Sequence, residues 1–342
     1  MQNLTGFNIL LNDMMEKQKI LITGANGYLG AQFSKFLANK GHLVTALCYP
    51  EAPKDVHWCN LMEEVLVGSV AEQDTILVLK EKSFDSIIHL VSMDHHQSQV
   101  VSAEEALRVN VHPSWTLLDA FSKKGLKTFI FFSTIHVYGA LPPEVIHEDR
   151  PYNPGNVYAL THSMSELVCD YFNRTSDVNC MTIRLSNSYG TPVFPENNCW
   201  WLAVNDLCRS AYFNKSIKLL SDGSPQRDFI HGSDVCRAME IILDKAPKTK
   251  GHSTYQISSG ETRTLLELAG VVKDVYMELY GHEIPVTTPL GEVVTNFSLF
   301  SENPRYLIDH SALKNFGFKP LCDMKEGIRQ LFRYFETNIY HA

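Results

Sequence analysis

A glycine-rich turn directly follows the first strongly apolar segment of the chain. Residues 19–23 read Lys-Ile-Leu-Ile-Thr, and Gly24, Gly27 and Gly30 come next at intervals of three. An apolar run of this length that ends at glycine predicts a strand buried on both faces of a parallel sheet. Glycine at these positions allows a tight turn and a close approach between the strand and a following helix. The segment therefore predicts the first strand, turn and helix of an α/β sheet.

Strand-like and helix-like patterns alternate from this turn to residue 185. Such an alternating order predicts an α/β fold with a doubly wound parallel sheet of the Rossmann type, covered by helices on both faces. The predicted elements are helix 28–40, strand 42–48, helix 71–82, strand 86–92, helix 102–124, strand 127–133, helix 156–174 and strand 179–185.

The pattern changes after Gly190, where prolines and asparagines follow, and we interpret this change as the start of a smaller α/β domain. Its predicted elements are a helix from about 200 to 213, a strand at 217–220, a helix at 264–280, a strand near 284–288 and a helix at 324–337. The predicted division is an N-terminal extension at 1–18, of which residues 1–14 are peripheral, a Rossmann domain at 19–190 to which 228–258 returns, and a second domain made of 191–227 and 259–342.

Charge and composition exclude several classes of partner. The chain carries 38 acidic and 30 basic side chains, a net charge of −8, without a block of Lys and Arg. We therefore expect neither nucleic acid nor a membrane as the main partner. The apolar runs, such as 128–132, are far shorter than the roughly 18 residues of a spanning helix, and without a signal segment we expect a cytoplasmic protein. Eight scattered cysteines without a CxxC pair predict reduced core thiols and no metal site.

The turn at residues 24–30 places backbone N–H groups at the start of a helix, where they can face a phosphate group. Glycine also serves in plain strand-to-helix turns, but its position after the first apolar strand favours the pyrophosphate of a dinucleotide. The second predicted strand ends in Ala-Leu-Cys48-Tyr49-Pro50 and lacks the acidic residue that would bind the adenosine ribose. No arginine replaces that acid and Lys54 is the nearest cation, so these residues leave the choice between NAD and NADP open. NAD is the expected cofactor, and NADP is not excluded.

Thr134, at the end of the strand predicted at 127–133, and Tyr158, near the start of a helix, lie 24 residues apart. Together with the glycine turn they resemble the extended short-chain dehydrogenases/reductases, specifically the nucleotide-sugar epimerase/dehydratase group. The resemblance covers nearly the whole chain from Lys19. Its further segments, in order, are HLVS at 89–92, Asn110 before a helix, RLSNSYG at 184–190, RDFIHGSDV at 227–235, and Arg305 with 309–320.

The resemblance implies that Thr134, Tyr158 and the residue four positions after the tyrosine carry the chemistry. In this family a hydride moves between a sugar carbon and the nicotinamide while a proton moves at the neighbouring oxygen, so Tyr158 is the acid or base and Thr134 bonds the reacting oxygen. The family's lysine is replaced here by His162. Because an imidazole has an ordinary pKa of about 6.5, it carries less positive charge at pH 7. We expect His162 to donate to the nicotinamide ribose.

The resemblance also implies contacts to the cofactor and to a nucleotide-diphosphate sugar. Asn187 matches a substrate-contacting amide, although it could instead cap a turn. Arg227 and Arg305 match positions that bind the diphosphate, for which a guanidinium fork is suited, although either could form a surface ion pair. The implied cofactor contacts are Gly24, Asn26, Gly27, Tyr28, Leu29, Gly30, Cys48, Leu90, Asn110, Tyr158 and His162.

The two residues after Thr134 bear on the reaction. Members of the family that eliminate water carry Asp-Glu at these positions, where this chain has Ile135 and His136. Isoleucine cannot protonate a leaving hydroxyl, so we expect a 4-epimerase or a 4-keto-sugar reductase rather than a 4,6-dehydratase. His136 is either an added catalytic group or a polar residue at a strand end. The alternative function is a catalytically impaired protein that binds cofactor and nucleotide sugar as a partner or sensor.

His95 and His96 lie in a loop that overhangs the sugar in this family. Adjacent histidines point in different directions and the sequence offers no third ligand. We therefore interpret this segment as a solvated or sugar-contacting loop without a metal.

The resemblance finally implies a homodimer, because family members of this size commonly pair through a four-helix interface. Here the interface would use helices 102–124 and 156–174. Their apolar residues could supply both a core face and part of that interface. They are Leu107, Val111, Leu118, Leu160, Met164, Leu167 and Val168.

Overall fold

The computed structural model of the protein describes residues 16–245 and 253–338. The strands are β1 (Lys19–Thr23), β2 (Leu43–Cys48), β3 (Glu64–Val67), β4 (Ser86–His89), β5 (Thr128–Thr134), β6 (Val145–Ile146), β7 (Asn179–Leu185), β8 (Asn187–Tyr189), β9 (Ile217–Lys218), β10 (Gln226–His231), β11 (Thr254–Ile257), β12 (Thr262–Thr264), β13 (Val286–Thr287) and β14 (Leu307–Ile308). The helices are α1 (Tyr28–Asn39), α2 (Val56–Leu61), α3 (Gln73–Lys80), α4 (His95–Val100), α5 (Ala103–Asn110), α6 (His112–Phe121), α7 (Val157–Thr175), α8 (Ala203–Asn214), α9 (Gly232–Lys245), α10 (Leu265–Tyr280), α11 (Ser311–Asn315) and α12 (Met324–Thr337), and a 3₁₀ turn at Ile135–Tyr138 follows β5.

The central sheet has seven strands in the order β11-β7-β5-β4-β1-β2-β3. Every neighbouring pair in it is parallel. Strand β1 lies between β2 and β4, so the winding of the chain reverses there, and the carboxyl ends of β1 and β4 border the crevice where such sheets bind ligands. The predicted doubly wound parallel sheet is confirmed.

Both faces of the sheet are buried, which explains why its strands are apolar at consecutive positions. In β1, Ile20 and Ile22 belong to a cluster that includes Phe33 of α1 and Met239 of α9. Leu21, between them, belongs to the opposite cluster with Leu117 of α6. Successive side chains of a strand point to opposite faces, so a strand covered on both sides needs apolar residues throughout.

A further apolar cluster lies in the part of the chain that follows β7. Helices α8, α10 and α12 contribute residues such as Ala211, Tyr276 and Phe332 to it. A three-stranded sheet, β12-β10-β8, accompanies these helices, while β11 pairs with β7 at the edge of the central sheet. The exact division into two domains stays a prediction, and residues 1–15 of the predicted extension lie outside the described residues.

The helix predicted at 102–124 is wrong as a single element, because it consists of α5 and α6. The break lies at Val111, with Pro113 in the first turn of α6. Proline has no N–H to donate to a carbonyl one turn earlier, and its ring clashes with that carbonyl, so it kinks or breaks a helix and is tolerated in a first turn.

Several short elements were not predicted, among them α2, β3 and α4. Helix α2 and strand β3 lie in the stretch that separates β2 from α3, and the 95–100 segment expected as a loop is α4. Asp94 and Gln97 form a reciprocal capping box at the start of α4, and this stabilises a helix of only six residues. Within the described ranges, every helix is too short or too polar to cross a membrane.

Candidate active site

The glycine turn joins β1 to α1, and the start of the helix packs closely against the turn. Gly24 has a φ of +71°, which favours glycine, and a Cβ atom on Gly30 would lie 2.1 Å from the carbonyl oxygen of Gly24. A larger residue at position 30 would therefore push the helix away from the turn. The two glycines let the start of α1 approach the end of β1 closely.

The N-terminus of α1 carries no cap from its own chain. Gly27 is the N-cap residue, no side chain accepts from the first N–H groups, and the first turn holds no acidic residue. Helix α7, in contrast, is capped by Asn156, whose Oδ1 accepts from the N–H of Ala159 at 2.8 Å. The free N–H groups of α1 fit a phosphate group, which the partial positive charge of the helix end would attract.

A cavity of about 220 Å³ lies beside this turn, between the ends of β2, β3 and β4. Its wall includes Glu72, Glu105 and Arg108. The guanidinium of Arg108 already donates to both carboxylates, at 2.8 Å to Glu105 and 2.9 Å to Glu72. This side of the site therefore presents one paired cation and two acidic groups.

Two asparagines predicted to contact the cofactor are engaged by the protein itself. The Asn26 side chain donates to the carbonyl oxygens of Tyr49 and Glu51, at 3.0 and 3.1 Å. Asn110 is buried, accepts from the N–H of Met93 at 2.7 Å and donates to Thr161 Oγ1 at 2.9 Å. Both amides thus hold the loops around the crevice in position.

The other predicted cofactor residues lie at different parts of the crevice. Tyr28 and Leu29 line a cleft of about 410 Å³ next to the turn. Cys48 is buried at the end of β2, and burial raises the pKa of its thiol to about 12. Leu90 follows β4, and its N–H donates to Thr23 Oγ1 at 3.3 Å. Their common location is the carboxyl edge of the central sheet.

Thr134 and Tyr158 meet in the same cleft. Thr134 ends β5 and Tyr158 lies in the first turn of α7, and the threonine hydroxyl acts on the phenol. Burial raises the pKa of Tyr158 to about 12, the bond from Thr134 lowers it, and the charge of Asp94 raises it. The phenol is therefore protonated at neutral pH and can donate a proton or a hydrogen bond.

His162 lies one helical turn beyond Tyr158 and is buried, with 2% of its surface exposed. Its Nδ1 is 2.8 Å from the carbonyl oxygen of Tyr158, and the two rings are 4.2 Å apart between centroids. Because a carbonyl only accepts, Nδ1 carries the proton and Nε2 is an acceptor. Burial lowers the pKa of His162 to about 4, so the imidazole is neutral at pH 7. This neutral tautomer accepts at Nε2 and lacks the proton there that the expected donation to a ribose requires.

Two more histidines lie near the phenol of Tyr158, and the sequence alone did not predict that they would. The rings of His95 and His136 lie 6.4 and 6.2 Å from that of Tyr158. His96 lies beside His95 and contacts Trp201 edge to face at 5.8 Å. Their positions in a loop and at a strand end were visible in the sequence, but their convergence on one tyrosine was not. Among the described residues no three potential ligands come together as a metal site.

The three predicted substrate residues divide into two that line the cavities and one that does not. Asn187 lines the cleft, and its amide donates to the carbonyl of Asp228 at 2.9 Å. Arg227 lines both this cleft and an adjoining cavity of about 440 Å³. Arg305 lines neither cavity, because it is paired with Glu267 at 2.6 Å and donates to the carbonyl of Thr262.

Arg227 is the arginine on the wall of the cleft. Its Nη1 donates to the carbonyl of Gln226 at 2.7 Å, and no carboxylate pairs with it among the described residues. A half-buried guanidinium without a carboxylate partner, at the junction of two cavities, is suited to an anionic ligand group.

Comparison with known sequences matches residues 20–258 to the family model described as the NAD dependent epimerase/dehydratase family. The chain is 26% identical over 324 residues to a dTDP-glucose 4,6-dehydratase of Streptomyces griseus, covering 90% of this chain and 91% of that protein. It is 24% identical to a low-salt glycan biosynthesis protein, Agl12, of Haloferax volcanii, covering 92% of this chain and 98% of that one.

Solved structures show the same fold. The UDP-glucose 4-epimerase of Thermotoga maritima, solved with UDP-glucose, has a TM-score of 0.77 and 21% identity, covering 94% of this chain and 99% of its own. MoeE5, solved with UDP-glucuronic acid and NAD, has a TM-score of 0.75 and 21% identity, covering 93% of this chain and 99% of its own.

Proposed function

The chain belongs to the NAD-dependent epimerase/dehydratase family, and on that basis we propose that it binds NAD and converts a nucleotide-diphosphate sugar, as a 4-epimerase or a 4-keto-sugar reductase. The observation that carries the proposal is that Thr134 and Tyr158 meet on the wall of one cleft, beside the uncapped start of α1. When bound, NAD supplies an acceptor and donor of hydride. The residues of the chain supply binding, orientation and proton transfer.

The cofactor would be held at its pyrophosphate by the free N–H groups at the start of α1, with Gly24 and Gly30 providing the close approach. The paired state of Arg108 supports NAD over NADP. Its guanidinium is bonded to Glu72 and Glu105, so a 2′-phosphate would meet two acidic groups and no free arginine among the described residues of that cavity wall.

Tyr158 would act as the proton donor to the sugar oxygen, and Thr134 would orient that oxygen. A phenol with a pKa of about 12 is almost fully protonated at pH 7. Protonating an oxygen as a keto sugar is reduced is therefore favourable for this site, whereas oxidising a hydroxyl first requires loss of the phenolic proton. His162 is neutral and adds no positive charge to aid that loss.

The nucleotide sugar would occupy the two adjoining cavities. The sugar would lie in the cleft, between Tyr158 and Asn187, and the diphosphate near the unpaired guanidinium of Arg227. The cavity of about 440 Å³ beyond Arg227 has the room for the remainder of the nucleotide. Arg305 would have a structural role through Glu267.

The residue after Thr134 supports epimerisation or reduction over dehydration. Ile135 is buried and apolar, and it lies where a dehydratase of the family would carry an acid. The curated relatives include 4,6-dehydratases, but elimination of water needs a proton donor for the leaving hydroxyl. This chain offers no such donor at position 135.

The state of His162 favours a second candidate function. A neutral, buried imidazole bonded to the carbonyl of Tyr158 would leave the phenol with little help to ionise. A protein that binds cofactor and nucleotide sugar without turnover, and acts as a partner or sensor, would retain the rest of the site. Turnover therefore separates the two functions.

We also propose a homodimer through α5, α6 and α7. Leu118 is buried in the core, whereas Leu160 and Leu167 are exposed on α7. Trp115 and Tyr171 stack with a ring separation of 5.5 Å and are about half exposed. A second copy would bury this apolar surface. Light scattering should give twice the chain mass at micromolar concentration, and a monomer would contradict the dimer.

The test of the enzymatic proposal is turnover of a panel of 4-hydroxy and 4-keto nucleotide sugars, with NAD(H) consumption and product stereochemistry as readouts. Tyr158→Phe should lower kcat by about 10²- to 10⁴-fold while NAD still binds. Tyr280→Phe, at the C-terminal end of α10, is the matched control and should turn over like the wild type. If the wild type binds both ligands and converts none, the non-enzymatic function is supported. If Tyr158→Phe matches the wild type, the catalytic assignment is wrong.

A further inference from the structure

Trp201 is an aromatic residue on the wall of the cleft that contains Tyr158. It lies just before α8, and 43% of its surface is exposed. Its Nε1 donates to the carbonyl of Asn198 at 3.0 Å, and this bond fixes the orientation of the ring. Because an indole has no other polar atom, the side chain of Trp201 offers only carbon surface to a ligand in the cleft.

Three ring contacts connect Trp201 to the phenol of Tyr158. The ring centroids of Tyr158 and His95 are 6.4 Å apart, those of His95 and His96 are 5.6 Å apart, and those of His96 and Trp201 are 5.8 Å apart. Each contact is edge to face, an arrangement that aromatic rings favour. The two histidines start α4, whereas Trp201 precedes α8, so these contacts join two distant segments of the chain. They hold the indole in place relative to Tyr158.

The wall of the cleft has an apolar part and a polar part. Trp201, Leu202 and Ala203 supply apolar surface before and at the start of α8, whereas residues 186–188, Ser-Asn-Ser, supply hydroxyl and amide groups from the segment around β8. A hydroxyl group buried against the apolar part would lose its hydrogen bonds to water without replacement, which weakens binding. A methyl group in the same place would instead gain free energy by leaving water.

A pyranose ring matches this division of the wall once its two ends are placed. In the proposed function, carbon 4 lies at Thr134 and Tyr158, and the diphosphate on carbon 1 lies near Arg227. Carbons 1 and 4 are opposite each other in the ring. One edge between them therefore carries the hydroxyl groups of carbons 2 and 3, and the other edge carries the ring oxygen and the substituent of carbon 5. The first edge fits the polar part of the wall, and the second fits the apolar part.

We propose that Trp201 is a specificity-determining residue that packs against the carbon-5 substituent of the sugar, and that the substrates are nucleotide-diphosphate 6-deoxy sugars, which carry a methyl group there. The proposal rests on the proposed function, from which it takes the orientation of the sugar. It adds the class of sugar. The hydroxymethyl group of an ordinary hexose, or the carboxylate of a uronic acid, would lie against an indole that has no donor left for it.

The experiment measures the binding of nucleotide sugars that differ only at carbon 6, by calorimetry on the full-length protein in the presence of NAD. The probes are 6-deoxyglucose, glucose and glucuronic acid linked to UDP, and the first two sugars linked to dTDP. UDP and dTDP alone report on the nucleotide site. The wild type should bind the 6-deoxy sugar at least about tenfold more tightly than the glucose compound of the same nucleotide, and it should bind the glucuronic acid compound most weakly.

Trp201→Ala should lose most of this preference, because the 6-deoxy sugar should bind at least about tenfold more weakly while the free nucleotides bind as they do to the wild type. A general loss of structure would weaken the binding of both. Trp201→Phe keeps an aromatic ring and should retain only part of the preference, and it decides the matter if Trp201→Ala does not fold. Phe213→Ala removes an exposed aromatic ring of α8 outside the cleft, and as the matched control it should keep the full preference.

A preference for the 6-deoxy sugar that depends on Trp201 supports the proposal. Equal or tighter binding of the glucose compound by the wild type overturns it, and so does a preference that is unchanged in the folded Trp201 variants. Either result leaves the proposed function intact, because a nucleotide sugar still binds. Failure of the wild type to bind NAD and any of the nucleotide sugars overturns both.

Discussion

Replacing His162 by lysine tests whether the missing positive charge limits the chemistry of Tyr158. With a pKa of about 12, the phenol of Tyr158 is ionised at pH 7 in only about one molecule in 100,000. An ammonium group one helical turn away would lower that pKa by about 1–3 units, as close opposite charges do. The ionised fraction would then rise about 10- to 1,000-fold, which corresponds to about 1.4–4 kcal/mol.

The substitution also has costs that the structure identifies. The bond from Nδ1 of His162 to the carbonyl of Tyr158 is lost, at about 1 kcal/mol. The lysine would enter a position that is now 2% exposed, and a buried charge costs several kcal/mol unless it is bonded. We therefore expect His162→Lys to unfold at lower temperature without cofactor and to oxidise a 4-hydroxy nucleotide sugar at least about tenfold faster at pH 7.

The assay is the pH dependence of sugar oxidation, followed by the absorbance of the reduced nicotinamide. In the wild type the rate should rise about tenfold per pH unit up to about pH 10 without a plateau, because ionisation of Tyr158 is completed only above its pKa of about 12. In His162→Lys the plateau should begin between about pH 9 and 11.

His162→Gln is the matched control, because glutamine is neutral and of similar length, and its profile should resemble that of the wild type. The reasoning is refuted if His162→Lys folds, binds NAD and nucleotide sugar, and still gives the profile and rate of His162→Gln. Ionisation of the phenol would then not depend on a cation at this position.

Three further outcomes are expected. Gly27→Asp should abolish NAD binding, because a carboxylate would lie at the uncapped start of α1. Gly155→Asp, at an open position, is the control and should bind NAD normally. Equal NAD affinities of the two folded variants would contradict the phosphate site. Because Arg108 is already paired, NAD should bind at least about tenfold more tightly than NADP in parallel titrations, and equal affinities would count against that reasoning. The free energy of unfolding should fall as the pH drops from about 6.5 toward about 4, because His162 binds a proton in the unfolded state but stays neutral when buried in the folded state. Denaturant titrations should show about 3 kcal/mol less of this loss in His162→Gln than in the wild type. An identical loss in the two proteins would show that His162 is not neutral in the fold.

Much of the fold could be predicted because its signals are local. The apolar run at 19–23 ends at Gly24, and the turn, the strand and the start of α1 depend only on neighbouring residues. Strand β7 and helix α12 agree with the predicted bounds for the same reason. The break between α5 and α6 was missed although Pro113 marks it, because the apolar pattern continues across the proline.

Local sequence signals predicted only part of the candidate site. Sequence motifs singled out Thr134, Tyr158 and His162, and their spacing along β5 and α7 brings them near one another. Arg227 and Arg305 looked equivalent in the sequence, but Arg305 is neutralised by Glu267, which lies 38 residues away. An ion pair of this kind depends on packing between distant segments.

The sequence by itself determined a doubly wound sheet and a glycine turn between its first strand and helix, because strand periodicity and glycine conformation act over a few residues; the motif that resembles the family singled out Tyr158. The tertiary structure alone decided that His95 and His136 face Tyr158, and that His162 keeps its proton on Nδ1 and its charge at zero. Those properties follow from burial and from partners supplied by separate strands and helices. The protonation states of these side chains are set by such neighbours, and only folding brings them together.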